Sequence, residues 1–240
     1  MAETEHPPTE TTEEAPPNVV EAERLIGVTL AIGIVAALIA VAVVSWLAEV
    51  MLEGETAAFD RAVSSAVHST ATPVLTDIMW FASRFGGPAR LSIIAVILFA
   101  IFAYKRWFRG VVLLVVTLGG AGLLDVILKL SFRRERPNPL FDYPLPESYS
   151  FPSGHALGSF CFFGILAWLM AANVETARSK WMIYSTAALL VLAIGLSRIY
   201  LGVHYPSDVV AGYLVALVWT LTVVLADRSL LKNRNNLDTV

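Results

Sequence analysis

Read for where apolar residues persist and where polar ones interrupt them, the chain divides into six long apolar runs joined by short polar stretches. The runs cover roughly Leu25–Leu47, Pro88–Tyr104, Gly110–Leu130, Gly154–Ala172, Trp181–Leu201 and Pro206–Ala226. Each is close to the about 20 residues that carry a helix across the hydrocarbon core of a bilayer. The second run is short and has Arg90 near its start. Another stretch, Phe59 to Phe85, is broken by Asp60, Arg61, His68, Pro73, Asp77 and Arg84. That pattern predicts one or two amphipathic helices at the membrane surface rather than a span. The expected fold is all-α: a polytopic membrane protein with six transmembrane helices and an additional interfacial amphipathic helical segment. No internal repeat of clear period is visible.

Composition sharpens this picture. Of the 240 residues, 56% are hydrophobic and only 15% charged, where a soluble domain carries about 25% charged residues. Seven of the twenty acidic residues (Glu3, Glu5, Glu10, Glu13, Glu14, Glu21, Glu23) lie in the first 23 positions among Pro and Thr. Such a segment buries too little apolar surface to offset its ordering entropy, so residues 1–23 are expected to form a disordered acidic tail. They also lack the basic start of a signal peptide. Residues 24–227 form the expected membrane domain and 228–240 a short polar tail. The single cysteine, Cys161, sits in an apolar run and reads as a small core residue; alone it excludes an internal disulfide and a Cys-based zinc site.

An even number of spans places both termini on one side. That side receives Arg24, Lys105, Arg106, Arg109, Arg178, Lys180, Arg228, Lys232 and Arg234; the other receives Arg61, Arg84, Arg90, Lys129, Arg133, Arg134, Arg136 and Arg198. Nine basic residues against eight become nine against five once Lys129, Arg136 and Arg198 are set aside for chemistry. The bias predicts cytoplasmic termini.

Charge at membrane depth is expensive, so each instance needs a reason. Here the charges gather at helix ends on the side away from the termini. Lys129 closes the third run and is followed by Arg136-Pro137; Pro152-Ser153-Gly154-His155 opens the fourth; Ser197-Arg198 closes the fifth; His204 and Asp208 open the sixth. Three cations suit a phosphate group, which Arg grips as a fork and Lys as a point charge. Ser153 is placed to cap a helix whose first N–H groups and dipole favour an anion, and Gly154 lets the backbone approach an oxygen closely. His204 and Asp208, four apart, share a helix face, so the carboxylate can hold one imidazole nitrogen and leave the other free to attack.

Taken in order, Lys129-(six residues)-Arg136-Pro137, Pro152-Ser153-Gly154-His155 and Ser197-Arg198-(five residues)-His204-(three residues)-Asp208 resemble the three-part signature of the type 2 phosphatidic acid phosphatases. These are also called lipid phosphate phosphatases and are related to class A acid phosphatases and vanadium haloperoxidases. The resemblance implies that His204 attacks phosphorus and forms a phosphohistidine, Asp208 holds its ring, and His155 protonates the leaving group and then activates water. It further implies that Lys129, Arg136, Arg198, Ser153 and the Gly154 amide bind the phosphoryl oxygens. Phosphoryl transfer spreads charge over three equatorial oxygens, so fixed positive donors do most of the work and neither metal nor cofactor is expected.

The implied function is a membrane-embedded phosphatase of a lipid phosphate or pyrophosphate, with undecaprenyl pyrophosphate, phosphatidic acid and phosphatidylglycerophosphate as candidate substrates. The lipid substrate and the bilayer are the expected partners, with no nucleic acid. The compact chain suggests a bacterial plasma membrane, with the site on the extracytoplasmic face. A lipid phosphotransferase with the same site chemistry is the alternative. A transporter predicts ionisable groups near the midplane, which only Asp125 approaches; a haloperoxidase would be soluble. Asp125 is expected to pair with Lys129 one turn on. His68 reads as surface, Arg133 and Arg134 as solvated or headgroup-attracting, and Gly119, Gly120 and Gly122 as allowing close helix packing. The proline- and aromatic-rich 131–151 loop is a candidate lid, and the 56–85 segment a candidate lipid path.

Overall fold

In the computed structural model the described residues are 42, 46, 49 and 56–237, with side chains through 229. Among them the chain is all-helical: α1 Ala57–His68, α2 Pro73–Phe85, α3 Pro88–Tyr104, α4 Phe108–Phe132, α5 Gly154–Ala171, α6 Ala177–Tyr200 and α7 Pro206–Leu237. Apart from Ala42 and Trp46, the expected first span, Leu25–Leu47, lies outside the described residues, as does the acidic tail. Four helices are long and apolar enough to cross a membrane: α4, α5, α6 and the Pro206–Ser229 part of α7. The pair α2 and α3, bent by 49° at its joint, makes a fifth if it counts as one span.

Local chemistry sets these boundaries. Thr72 caps α2 by accepting from the Leu75 N–H at 3.2 Å, with Pro73 in the first turn, where its missing N–H costs nothing. Thr176 caps α6 in the same way through Ser179. Arg133 ends α4 in the left-handed region (φ 46°), its N–H donating to Lys129 O. The α2–α3 joint is Gly86-Gly87-Pro88. A side chain at Gly86 would run into Ile194 of α6, so this joint lies directly against the bundle. The segment expected to lie at the surface is thus two helices, the second of which packs along α6.

The bundle is organised around α5, which touches α3, α4, α6 and α7. Close approach of α5 and α7 depends on Gly212: a Cβ there would lie 2.8 Å from Ser153 O and 3.0 Å from the Ala156 Cβ. Gly120 of α4 accommodates the Trp219 ring, whose Nε1 donates to Thr117 O at 2.9 Å, whereas Gly119 and Gly122 face open space. Of the three glycines expected to permit packing, only Gly120 does so. Cys161 is fully buried in the core with Leu157, Ala211 and Val215, as expected. At the far end, Asp227 accepts both Arg109 Nε (2.8 Å) and Nη2 (2.5 Å) and the Trp168 indole (3.2 Å), tying α4, α5 and α7 together.

The outer surface explains what solvent this fold requires. Ile93, Val96, Ile97, Val115, Leu123, Val126, Leu189 and Leu192 are exposed along α3, α4 and α6. A contiguous apolar girdle of this kind is unstable in water and stable in hydrocarbon, where helices satisfy their backbone internally. The chain is an integral membrane protein.

Candidate active site

The ends of α4, α5, α6 and α7 meet at one end of the bundle with the loop that joins α4 to α5, and there the charged residues collect. His204 occupies the turn before α7, and Asp208 lies in the first turn of that helix. Pro206 opens α7, and the Asp208 carboxylate reaches back to accept the Tyr205 N–H at 2.9 Å, closing a capping arrangement. This fixes the carboxylate beside the imidazole: Asp208 Oδ2 is 3.5 Å from His204 Nδ1. That is longer than a good hydrogen bond. Ser150 fills the gap, donating to Asp208 Oδ2 at 2.5 Å with its Oγ 3.4 Å from Nδ1. The other ring nitrogen, Nε2, receives Arg136 Nη1 at 3.0 Å. A guanidinium can only donate, so Nε2 carries the lone pair and Nδ1 the proton. Burial, outweighing Asp208 and aided by Arg198 and Arg136, pushes the His204 imidazole down to about 4, so it is neutral at pH 7.

Arg136, in the loop, is anchored by donation to Val203 O (2.9 Å), Ser148 O (2.7 Å) and Tyr149 O (3.1 Å). Its pKa is pushed down to about 10 by burial and by Arg198, which leaves it cationic. Arg198 is fully buried at the end of α6. Its Nη1 donates to the Tyr143 hydroxyl at 2.9 Å and to Ser83 Oγ, but Nε and Nη2 have no hydrogen-bond partner among the described residues. A guanidinium stripped of water with two donors unspent is costly unless an anion meets it. Lys129 is also buried, pairing with Asp125 as expected and donating to Pro152 O at 3.0 Å.

Ser153 caps α5, its Oγ accepting the Ala156 N–H at 3.5 Å while its own N–H donates to Asp208 O at 3.0 Å. The first N–H groups of α5, at Gly154 and His155, have no partner within the helix and are available to an anion. A Cβ on Gly154 would lie 2.9 Å from Asp125 Oδ1, so glycine is needed where α4 and α5 converge. His155 sits within the fields of Arg198, Arg136 and Lys129 and of His204. The α2–α3 joint passes beside it: a Cβ on Gly87 would lie 3.6 Å from His155 Nε2.

All eight residues singled out in the sequence therefore belong to one end of the bundle. Several neighbours were not foreseen. Arg134, read as solvated or headgroup-attracting, donates Nη1 to Asp208 Oδ1 at 2.6 Å and Nη2 to Asp60 Oδ2 at 2.9 Å. Asp60 itself is buried, and as one of several charged residues in an amphipathic stretch it carried no distinguishing signal. Tyr143, Ser83 and Ser150 carry no motif. His68, read as surface, is half-buried and bonded to Ile199 O at 3.0 Å. The partner that explains it is 131 residues away in sequence, beyond the reach of any spacing rule.

Comparison with known proteins places this geometry among relatives. The model of the PAP2 superfamily matches residues 110–230. Phosphatidylglycerophosphatase B of Bacillus subtilis is 32% identical over 163 residues, covering 66% of this chain and 78% of its own. Undecaprenyl-diphosphatase of Sulfolobus acidocaldarius is 30% identical over 146 residues, covering 59% of this chain and 65% of its own. Among solved structures, the transmembrane PAP2 type phosphatidylglycerolphosphate phosphatase of Bacillus subtilis superimposes with a TM-score of 0.70 at 29% identity, over 80% of this chain and 95% of that one. Aquifex aeolicus LpxE superimposes with a TM-score of 0.54 at 24% identity, over 68% of this chain and 93% of that one, a likeness of fold.

Proposed function

The chain belongs to the PAP2 superfamily, and on that premise we propose that it hydrolyses the terminal phosphate of a lipid phosphate or lipid pyrophosphate through a phosphohistidine on His204. The observation that carries this reading is Arg198: a fully buried guanidinium with Nε and Nη2 unpartnered among the described residues, at the end of the bundle that holds two histidines.

The positions of the groups support the following course of reaction. The phosphoryl oxygens take the free donors of Arg198, with Arg136, Lys129 and the α5 N-terminus around them; Ser153 contributes by holding that helix end. Arg136 Nη1 leaves the Nε2 lone pair for a phosphoryl oxygen, freeing the nitrogen to attack phosphorus. The bond from phosphorus to the lipid oxygen breaks, and His155 gives that oxygen a proton. Asp208 and Ser150 hold the Nδ1 proton as the ring gains positive charge. In the second half, His155 takes a proton from water, the hydroxide attacks phosphorus, the N–P bond breaks and inorganic phosphate leaves. Fixed cations supply the charge stabilisation, so no metal is required.

In this reading six spans, including Leu25–Leu47, cross a bacterial plasma membrane with both termini cytoplasmic. The site then opens to the extracytoplasmic face, with α1 near that surface. Phosphatidylglycerophosphate and undecaprenyl pyrophosphate are the favoured substrates, by the names of two relatives to which the chain is similar.

Phosphate release from these two lipids and from phosphatidic acid, measured in detergent with EDTA, tests the reading. The expected result is release from at least one, undiminished by chelation and abolished in His204→Ala. Activity that disappears with EDTA, or persists in His204→Ala, would overturn it.

A further inference from the structure

Asp60 stands outside all three motifs, on a helix that precedes them by some seventy positions, and yet it is buried against the nucleophile's support. Its Oδ1 accepts the Ser207 N–H at 2.9 Å, and its Oδ2 accepts the Ser207 hydroxyl at 2.8 Å and Arg134 Nη2 at 2.9 Å. Arg134 forks between two carboxylates. Besides Asp60 it donates Nη1 to Asp208 Oδ1 at 2.6 Å and to Ser207 Oγ at 2.9 Å, and its guanidinium lies 4.0 Å over the Tyr205 ring. All four carboxylate oxygens of Asp60 and Asp208 thereby accept a hydrogen bond. Asp208 has Oδ1 on Arg134 and Oδ2 on Ser150 and Tyr205 N, facing His204.

We propose that Arg134 and Asp60 are positioning residues for the reaction, a clamp from α1 through the loop to α7 that fixes the Asp208 carboxylate and keeps its negative charge available to His204. The inference rests on the phosphohistidine reading above. Two parts of the clamp have separate jobs. Arg134 occupies Oδ1, so the carboxylate cannot turn its other oxygen away from the imidazole. Asp60 balances Arg134. With Asp60⁻, Arg134⁺ and Asp208⁻ the cluster carries one net negative charge, and the positive charge that develops on His204 during attack brings it to neutrality. Without Asp60, Arg134 would cancel Asp208 and the imidazolium would form against no net charge. A buried cluster of low effective dielectric makes that difference large.

The sequence order supports a specific role over a generic one. Arg134 reaches past the Asp208 side chain to a helix that shares no motif with it, and α1 lies against the ends of both α6 and α7. A headgroup-attracting arginine would point into the cup; this one is spent on two carboxylates, a serine and an aromatic face.

The test is steady-state kinetics of full-length Asp60→Asn, Arg134→Gln, Arg134→Lys and the Asp60→Asn/Arg134→Gln pair, per folded molecule, beside wild type and His204→Ala. The lipid is whichever of the three the wild type hydrolyses. Each single loss should lower kcat roughly 10- to 100-fold with KM within about twofold, the scale of a misplaced reacting group. Arg134→Lys, which keeps the charge but not the fork, should recover part of the loss. The pair should be no worse than the poorer single variant, because both act through Asp208. A raised KM with unchanged kcat would make Arg134 a substrate ligand and overturn the inference. So would lowered thermal stability with unchanged kcat, which would make the clamp structural only. Activity retained in His204→Ala would fault the underlying reaction instead, and that outcome is separately visible.

Discussion

At the scale of residues, the site is a problem in keeping one imidazole neutral and aimed. His204 is buried beside two guanidiniums and one carboxylate, and burial wins, holding it down to about 4. A depressed histidine pKa means that the neutral, nucleophilic form persists as pH falls from 7 to about 5 and is lost only on approach to 4. Nitrogen NMR of histidine-labelled protein in detergent, with the His204 signal assigned by its absence in His204→Gln, should give a midpoint near 4. A midpoint near 6.5, the ordinary value, would mean that the ring is solvated and not held as described. The motif residues were legible because chemistry restricts residue type and spacing: a lysine, two arginines, two histidines and an aspartate at helix ends have few other reasons to exist in an apolar chain. Arg134, Asp60, Tyr143 and Ser150 were not, because their role is to hold motif residues and any donor or acceptor that reaches will do. Only the folded chain decides which one reaches.

At the scale of elements, helix boundaries were readable from caps and breakers. The predicted runs at Gly110, Gly154, Trp181 and Pro206 correspond to α4 through α7; most ends shift by a few residues because polar turns such as Ala177–Lys180 extend helices past the apolar core, and α7 continues through a polar segment past Ala226 to Leu237. The helix α2 was harder, since the polar interruptions of the 59–85 stretch resemble those of a surface helix, and only its packing on α6 reveals that it belongs to the bundle; α3 coincides with the predicted run Pro88–Tyr104. The joint between α5 and α7 is where element packing meets chemistry. Gly212 puts Ser153 and Ala156 within van der Waals reach of α7, and so lets the first turn of α5, which carries His155, pack against that helix. Gly212→Val should destabilise the protein by about 1–3 kcal/mol, as overpacking does, and lower turnover with it. Gly119→Ala, at a position facing open space on α4, should leave both unchanged or gain slightly in stability. Thermal melts in detergent check this; equal melting of wild type and Gly212→Val would show that the close approach is not a constraint.

At the scale of the whole molecule, the polarity of the bundle is its function. One end is pinned by the Arg109–Asp227–Trp168 cluster, and the other gathers the cations and imidazoles. An apolar girdle lies between them. In the proposed orientation, which the charge bias of the loops supports, the active end faces outward. Glu147, exposed in the α4–α5 loop, offers a check: Glu147→Cys in intact cells should react with a membrane-impermeant maleimide, while the native Cys161, fully buried, does not. Labelling only after the membrane is opened would reverse the orientation. The apolar pattern of the sequence already implied membrane, class and polarity. Which helices touch at the active end is a matter of long-range packing that no run of residues reports.

The most direct test of the central claim is to catch the intermediate. Wild-type protein mixed with lipid carrying a labelled terminal phosphate, quenched in alkali within one turnover and mapped by peptide, should carry acid-labile label on the segment containing His204. Label on any other residue, or steady turnover with no labelled protein at any quench time, would contradict it.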